Sequence, residues 1–388
     1  MNDLNQAFAP FEEIAAHPAA QKEKYLAQGR KLMLCAPVFT PAELAESFGF
    51  VPFGCWGGDV RLEGAHRYFP TFICSIAQSI VELGMQGVYD GASGIMIPLL
   101  CDSLKVLEEN FKYAVPQIPV LPVAWPQHRQ GEAGRVYLVR MLEALAEKLS
   151  ALSGRPYSPQ ALTEANELYR RHGRLMHRAD ALMAGRAVTP AQRAAVYRSA
   201  FFTDKAEHCA LLEDLIAALE QAPGQVCGIP VVTCGILADS RELNRAMAES
   251  GLRVVGDNMS SQSQQYQGLE APVALGGDPM EVLAGRFITA ESSVLFDSSC
   301  FGGRAPGREG RPGTKRHIQH TVDLAQARGA RGVVLFLTKF CDPEEFDAVL
   351  LRKACQAEGL PFLQVEVDRQ TPVSAQILTR LQTFGEML

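Results

Sequence analysis

The sequence predicts an α/β protein: two doubly wound, parallel-sheet (flavodoxin-like) domains joined by a helical module. Three observations carry this. Short apolar runs with strand character alternate with helix-patterned stretches near both ends of the chain. The middle shows almost no strand signal. A chain of 388 residues also exceeds what one simple core holds. The boundaries fall at 1–134 for the first α/β domain, 135–222 for the helical module and 223–388 for the second α/β domain.

In the first region, KLMLCAPVF (31–39) reads as a buried strand. Thr40 and Pro41 then open a helix over ELAESFGF, with the threonine as its cap. FVPFGCW (50–56) is a second strand, and Cys74 to Gly84 a helix that the glycine closes. GIMIPLLC (94–101) is a third strand, SLKVLEENFKYA (103–114) a helix and IPVLPVAWP (118–126) the last strand-like run. In the module, residues 136–152, 162–185 and 206–222 carry helical spacing, and Ser158-Pro159 and Thr189-Pro190 mark helix starts. Beyond Gly224, GIPVVTCGI (228–236), LRVVGDN (252–258), RGVVLFLTKFC (331–341) and PFLQVEV (361–367) read as strands separated by helices.

Charge and hydropathy exclude several roles. Net charge is −6, so there is no basic footprint for nucleic acid. No run approaches the roughly 18 apolar residues of a membrane span. The first 18 residues lack the basic start and apolar stretch of a signal peptide, so a cytoplasmic location is the expectation. The segment SCFGGRAPGREGRPGTKR (299–316) is crowded with Gly, Pro and Arg. It reads as an exposed loop, or as a phosphate-binding loop or partner surface using Arg304, Arg308, Arg311, Lys315 and Arg316.

The cysteines stand at 35, 55, 74, 101, 209, 227, 234, 300, 341 and 355, with no CxxC pair. In a cytoplasmic chain they do not suggest a disulfide framework. Cys101 and Cys341 share one local logic. Each ends an apolar strand and begins a helix, and Asp342, Pro343 and Glu345 resemble a cap, a first-turn proline and a capping-box acid. Such a position lies at the ligand-binding end of a parallel sheet, against helix N–H groups that favour a thiolate. One such cysteine from each α/β domain would place a site between the domains. Cys74, between an aromatic run and a helix, is the third candidate. Three thiolates suit a 4Fe-4S cluster with one iron left to another ligand. A buried cysteine is also an ordinary small core residue, so the residues alone leave both readings open. Core packing is the expectation for Cys35, Cys209, Cys227, Cys234 and Cys355, and a structural role for Cys55 and Cys300.

The stretches 41–59, 68–84 (YFPTFICSIAQSIVELG), 94–113 (GIMIPLLCDSLKVLEENFKY), 232–258, 333–347 (VVLFLTKFCDPEEFD) and 361–388 resemble the 2-hydroxyacyl-CoA dehydratase family in its own order. That family includes subunits of ATP-dependent benzoyl-CoA reductase, and the likeness is greatest to the β-type subunit of 2-hydroxyglutaryl-CoA dehydratase. The resemblance places the family's cluster ligands on Cys74, Cys101 and Cys341. It implies a 4Fe-4S cofactor, a homologous α subunit as heterodimer partner (or a second copy), an ATP-dependent activator iron–sulfur protein and an acyl-CoA substrate. The implied chemistry is a radical elimination. One electron converts the thioester to a ketyl radical anion, the 2-hydroxyl leaves, a β proton is lost, and the electron returns as the enoyl-CoA forms. In a β-type chain the implied role is electron relay and a share of the cavity, with no acid or base residue assigned. Ser75, Asp102 and Asp342, beside the cysteines, are expected to act as helix caps. The segment 292–315 departs from the family pattern like an insertion. Other readings are a reductase subunit, a noncatalytic electron-transfer partner, and a cluster-free α/β protein.

Overall fold

The computed structural model describes residues 2–129, 131–224, 226–269, 277–297, 315–370 and 373–388, with only the backbone of Asn2 and Asp3. Two four-stranded parallel sheets form its frame. The first contains β1 (Lys31–Cys35), β2 (Phe50–Gly54), β3 (Ala92–Pro98) and β4 (Val120–Val123), in the order β2-β1-β3-β4. The second contains β5 (Ile229–Gly235), β6 (Leu252–Met259), β7 (Gly332–Thr338) and β8 (Phe362–Val367), in the order β6-β5-β7-β8. The two sheets therefore repeat one topology. In each, the strand order reverses between the first and third strands, the place where open α/β sheets bind ligands. Every residue of β2 and β7 is buried, which requires cover on both faces and explains their unbroken apolar runs.

The helical module contains α6 (Glu132–Ser153), α7 (Pro159–Ala184), α8 (Pro190–Ser199) and α9 (Lys205–Gln221). Ser158 and Thr189 cap α7 and α8 as the sequence indicates, each accepting a first-turn N–H and followed by proline at N1. Two N-terminal helices, α1 (Asn2–Ala16) and α2 (Pro18–Ala27), were not legible in the sequence. Phe8 and Phe11 of α1 are fully buried against Tyr169, Leu212 and Leu215, so α1 packs on the module. Helices α10 (Arg241–Glu249), α12 (Arg316–Ala327) and α14 (Ala375–Met387) pack on the second sheet. Between them in sequence, α11 (Pro279–Thr289) returns to the first domain, where Phe287 and Phe296 pack on Trp125. A buried network ties the module to the second sheet: Arg193 of α8 pairs with Asp180 of α7 and Asp257 of β6.

Three local expectations need correction. Thr40 does not cap a helix; α3 (Ala42–Ser47) starts behind Pro41 with no side-chain cap. Gly84 does not close α4 (Ser75–Met85) but lies inside it. Its role is close approach: a Cβ there would sit 2.7 Å from Val115 and 3.2 Å from the Phe111 ring at the end of α5 (Asp102–Ala114). Asp342 is not the cap of α13 (Asp342–Ala357) but its first helical residue, and Cys341 takes the cap position. Of the Gly/Arg-rich stretch, residues 299–314, with Cys300, Arg304, Arg308 and Arg311, lie outside the described residues. Lys315 and Arg316 are engaged internally. Lys315 pairs with Asp347 at 2.7 Å, and Arg316 lies 3.9 Å from Glu291.

Candidate functional site

Cys74, Cys101 and Cys341 are each the N-cap residue of a helix: α4, α5 and α13. Cys101 follows β3, and Cys341 follows β7, the equivalent strand of the other sheet. Both therefore stand at carboxyl strand ends beside a switch point. The residue before Cys341, Phe340, has φ 62°, a left-handed backbone that a bulky side chain rarely adopts. It turns the chain sharply from β7 into α13. All three cysteines pack against one hydrophobic cluster, the core of the first domain.

The thiols share one electrostatic environment. Burial pushes the Cys74 thiol up, against the pull of the Ala77 and Ile76 N–H groups and the Ser103 hydroxyl. Cys101 is pushed up to about 12, first by burial and then by Cys74, with the N–H groups of Leu104 and Ser103 opposing. Cys341 is raised well above its ordinary value by burial and then by Glu344, with Cys74 and Cys101 adding to the effect. The fold thus brings the three sequence-predicted cysteines together, each facing the open N–H groups of a first helical turn. Among the described residues no three His, Cys, Asp or Glu side chains close on a single metal ion.

Three further residues shape this pocket and were not found from sequence. Ser103 reaches from α5 to the thiol of Cys74. Glu344, buried in the first turn of α13, accepts the Thr338 N–H at 2.9 Å. Burial raises its carboxyl to about 7. Arg369, in the loop after β8, donates its backbone N–H to the Ser75 hydroxyl at 3.1 Å. Its guanidinium pairs with Asp239 at 3.2 Å and Asp59 at 3.4 Å, joining the two α/β domains. Burial alone would raise the Asp239 carboxyl, but Arg369 and Arg198 hold it below the usual range. Only the general rule that ligands meet loops after parallel strands pointed toward Arg369. Ser75, Asp102 and Asp342 do not cap their helices. Ser75 receives Arg369, and Asp102 pairs with Lys105 at 3.0 Å. A cleft of about 1110 Å³ runs between the domains and reaches Ser75, Thr338, Asp239 and Arg369. Of the other described cysteines, Cys35, Cys55, Cys209, Cys234 and Cys355 are buried as expected, whereas Cys227 is exposed rather than packed.

Residues 37–388 match the sequence profile of the family described as 2-hydroxyglutaryl-CoA dehydratase, D-component. The chain belongs to this family. Across its whole length it is 36% identical to the (R)-phenyllactyl-CoA dehydratase beta subunit of Clostridium sporogenes, all of which is covered. It is 31% identical to the (R)-2-hydroxyglutaryl-CoA dehydratase beta subunit of Acidaminococcus fermentans, over 97% of this chain and 98% of that one. A benzoyl-CoA reductase subunit from Thauera aromatica is 25% identical over 95% and 94%. This member of the dehydratase subunit family is thus more similar to the phenyllactyl-CoA relative than to the 2-hydroxyglutaryl-CoA one that the motifs suggested. Among the described residues no helix is long and apolar enough to cross a membrane.

Proposed function

We propose that this chain is the β-type iron–sulfur subunit of a 2-hydroxyacyl-CoA dehydratase, with Cys74, Cys101 and Cys341 holding a 4Fe-4S cluster. The observation that carries the reading is that Cys74, Cys101 and Cys341 all take helix N-cap positions and pack, partly buried, against one apolar cluster, with Cys74 and Cys101 near enough to raise the Cys341 thiol. The donor set suits the group. Burial and mutual repulsion keep the bare thiols protonated, and iron would supply the opposing charge. The N–H groups of Ile76, Ala77, Ser103 and Leu104 are placed to donate to cysteine sulfur and offset its negative charge. When bound, the cluster supplies a low-potential one-electron couple. An apolar cluster backs the three cysteines. The substrate class is a 2-hydroxyacyl-CoA, and the partners are a homologous α-type subunit and an ATP-dependent activator. A dehydratase is favoured over a reductase because identity to the dehydratase relatives is higher.

Anaerobic purification followed by iron and sulfide analysis tests this. About four irons and four sulfides per chain are expected. Cys74→Ala, Cys101→Ala and Cys341→Ala should each lose most of that iron while keeping the far-UV circular dichroism of the parent. Iron-free protein from strictly anaerobic cells, with reconstitution also failing, would sink the proposal.

A further inference from the structure

Cys74 and Cys101 are placed by one α/β domain and Cys341 by the other, so their spacing depends on what crosses the domain boundary. Within the first domain the pair is fixed by α4 lying close on α5. In the second, Cys341 is fixed to its strand: its backbone N–H donates to the Thr338 carbonyl at 3.0 Å. Strand β8 runs beside β7 in register, with Thr338 opposite Val367, and the Lys339 N–H donates to the Val367 carbonyl at 2.9 Å. Just beyond Val367 stands Arg369, whose backbone N–H donates to the Ser75 hydroxyl at 3.1 Å. Ser75 is the first helical residue of α4 and follows Cys74 directly. A chain of short links thus runs from the Cys341 backbone, through two strand ends, to the residue bonded to Cys74.

We infer that Arg369 is a positioning residue that sets the spacing of the Cys341 thiol from the Cys74 and Cys101 pair. As a role toward a cluster, this rests on the function proposed above. The Arg369 side chain anchors the link. One guanidinium nitrogen faces both Asp239 oxygens, at 3.3 and 3.2 Å, in the loop after β5, and another faces Asp59, after β2, at 3.4 Å. The planar fork serves two carboxylates at once, which a lysine ammonium matches poorly. The two anchors are unequal. Asp59 is 74% exposed, so that pair contributes little, whereas Asp239 is 14% exposed and is held in addition by Arg198 of the helical module. Arg369 therefore moves with the second domain and the module, and it reaches the first domain chiefly through its N–H to Ser75. Without the guanidinium, the loop loses the anchor that aims this N–H. Groups that hold metal ligands in place typically govern metal affinity about 10–100-fold.

The test uses the full chain, prepared anaerobically. Arg369→Gln removes the anchor, Ser75→Ala removes the acceptor, and Arg369→Lys keeps the charge without the fork. Asp239 retains Arg198 in all three, so it is not left without a cation. With iron bound, release to a chelator should be at least about tenfold faster in Arg369→Gln and Ser75→Ala, and intermediate in Arg369→Lys. On metal-free protein, a short reagent that bridges two thiols should join Cys341 to Cys74 or Cys101 at least about tenfold more slowly in the same variants, read by mass spectrometry. Bridging of Cys74 to Cys101 should keep its parental rate, which a general loosening of the fold would not spare. Parental bridging of Cys341 in Arg369→Gln and Ser75→Ala, or an equal change in every pair, overturns the assignment. An unaltered chain that never holds iron sinks the cluster instead, and the bridging rates still decide the spacing.

Discussion

At the scale of single residues, chemistry at the pocket follows from which atoms stand at helix starts. The thiols of Cys74, Cys101 and Cys341 occupy cap positions that a serine or aspartate would usually take. This is why reading Asp342 as a cap failed by one residue. Local propensity points to the carboxylate, while the sharp turn at Phe340 puts the cysteine there instead. Ser103, Glu344 and Arg369 were not legible because their roles depend on neighbours far away in sequence. A second buried acid permits a pH prediction. Glu46 of α3, near Asp204 and Lys205, is raised to about 7 by burial and then by Asp204. In the unfolded chain it ionises near 4.5. Below that value both states hold the proton and nothing is lost. Between 4.5 and 7 the unfolded chain releases it first, so stability falls with rising pH. Above 7 the loss is complete, at most roughly 3 kcal/mol. Glu46→Gln should therefore gain thermal stability over the parent at about pH 8 and little at about pH 4.5. A melting difference that does not change with pH would refute this.

At the scale of elements, strand runs and proline-led helix starts were readable because each is written locally. Ser158-Pro159 and Thr189-Pro190 begin α7 and α8 as read. Helix α1 is not legible in the sequence because Pro10, ordinarily a helix breaker, lies inside it and its buried face is covered by the helical module rather than by its own neighbours. Gly84 misled for a related reason: a glycine near a helix end resembles a stop signal, yet here it lets α4 lie close to α5. These are the helices whose N-cap residues are Cys74 and Cys101. Gly84→Val should force them apart, destabilise the protein by about 1–3 kcal/mol in urea unfolding, and reduce iron retained per chain. Unchanged stability and iron content would show that the contact has room to give.

At the scale of the whole molecule, the alternation of elements disclosed two doubly wound sheets, but not how they face each other. No spacing rule shows that Cys341 meets Cys74 and Cys101. Only the family likeness and the folded chain bring them together. Long-range polar pairing holds the arrangement, with Arg193 as its best-buried example. It is 3% exposed and links the helical module to β6. Arg193→Leu leaves Asp180 and Asp257 without this cation and should cost about 3–5 kcal/mol. Calorimetry should show a lower melting temperature for the module and second sheet. A melting profile equal to the parent's would mean that Arg328, which pairs with Asp180 at 2.8 Å, suffices.

The repeated sheet order divides the thiols unequally: Cys74 and Cys101 belong to the first α/β domain and Cys341 to the second. Anything that all three sulfurs held would therefore cross-link the two domains, beside the tie that Arg369 makes between Asp239 and Asp59.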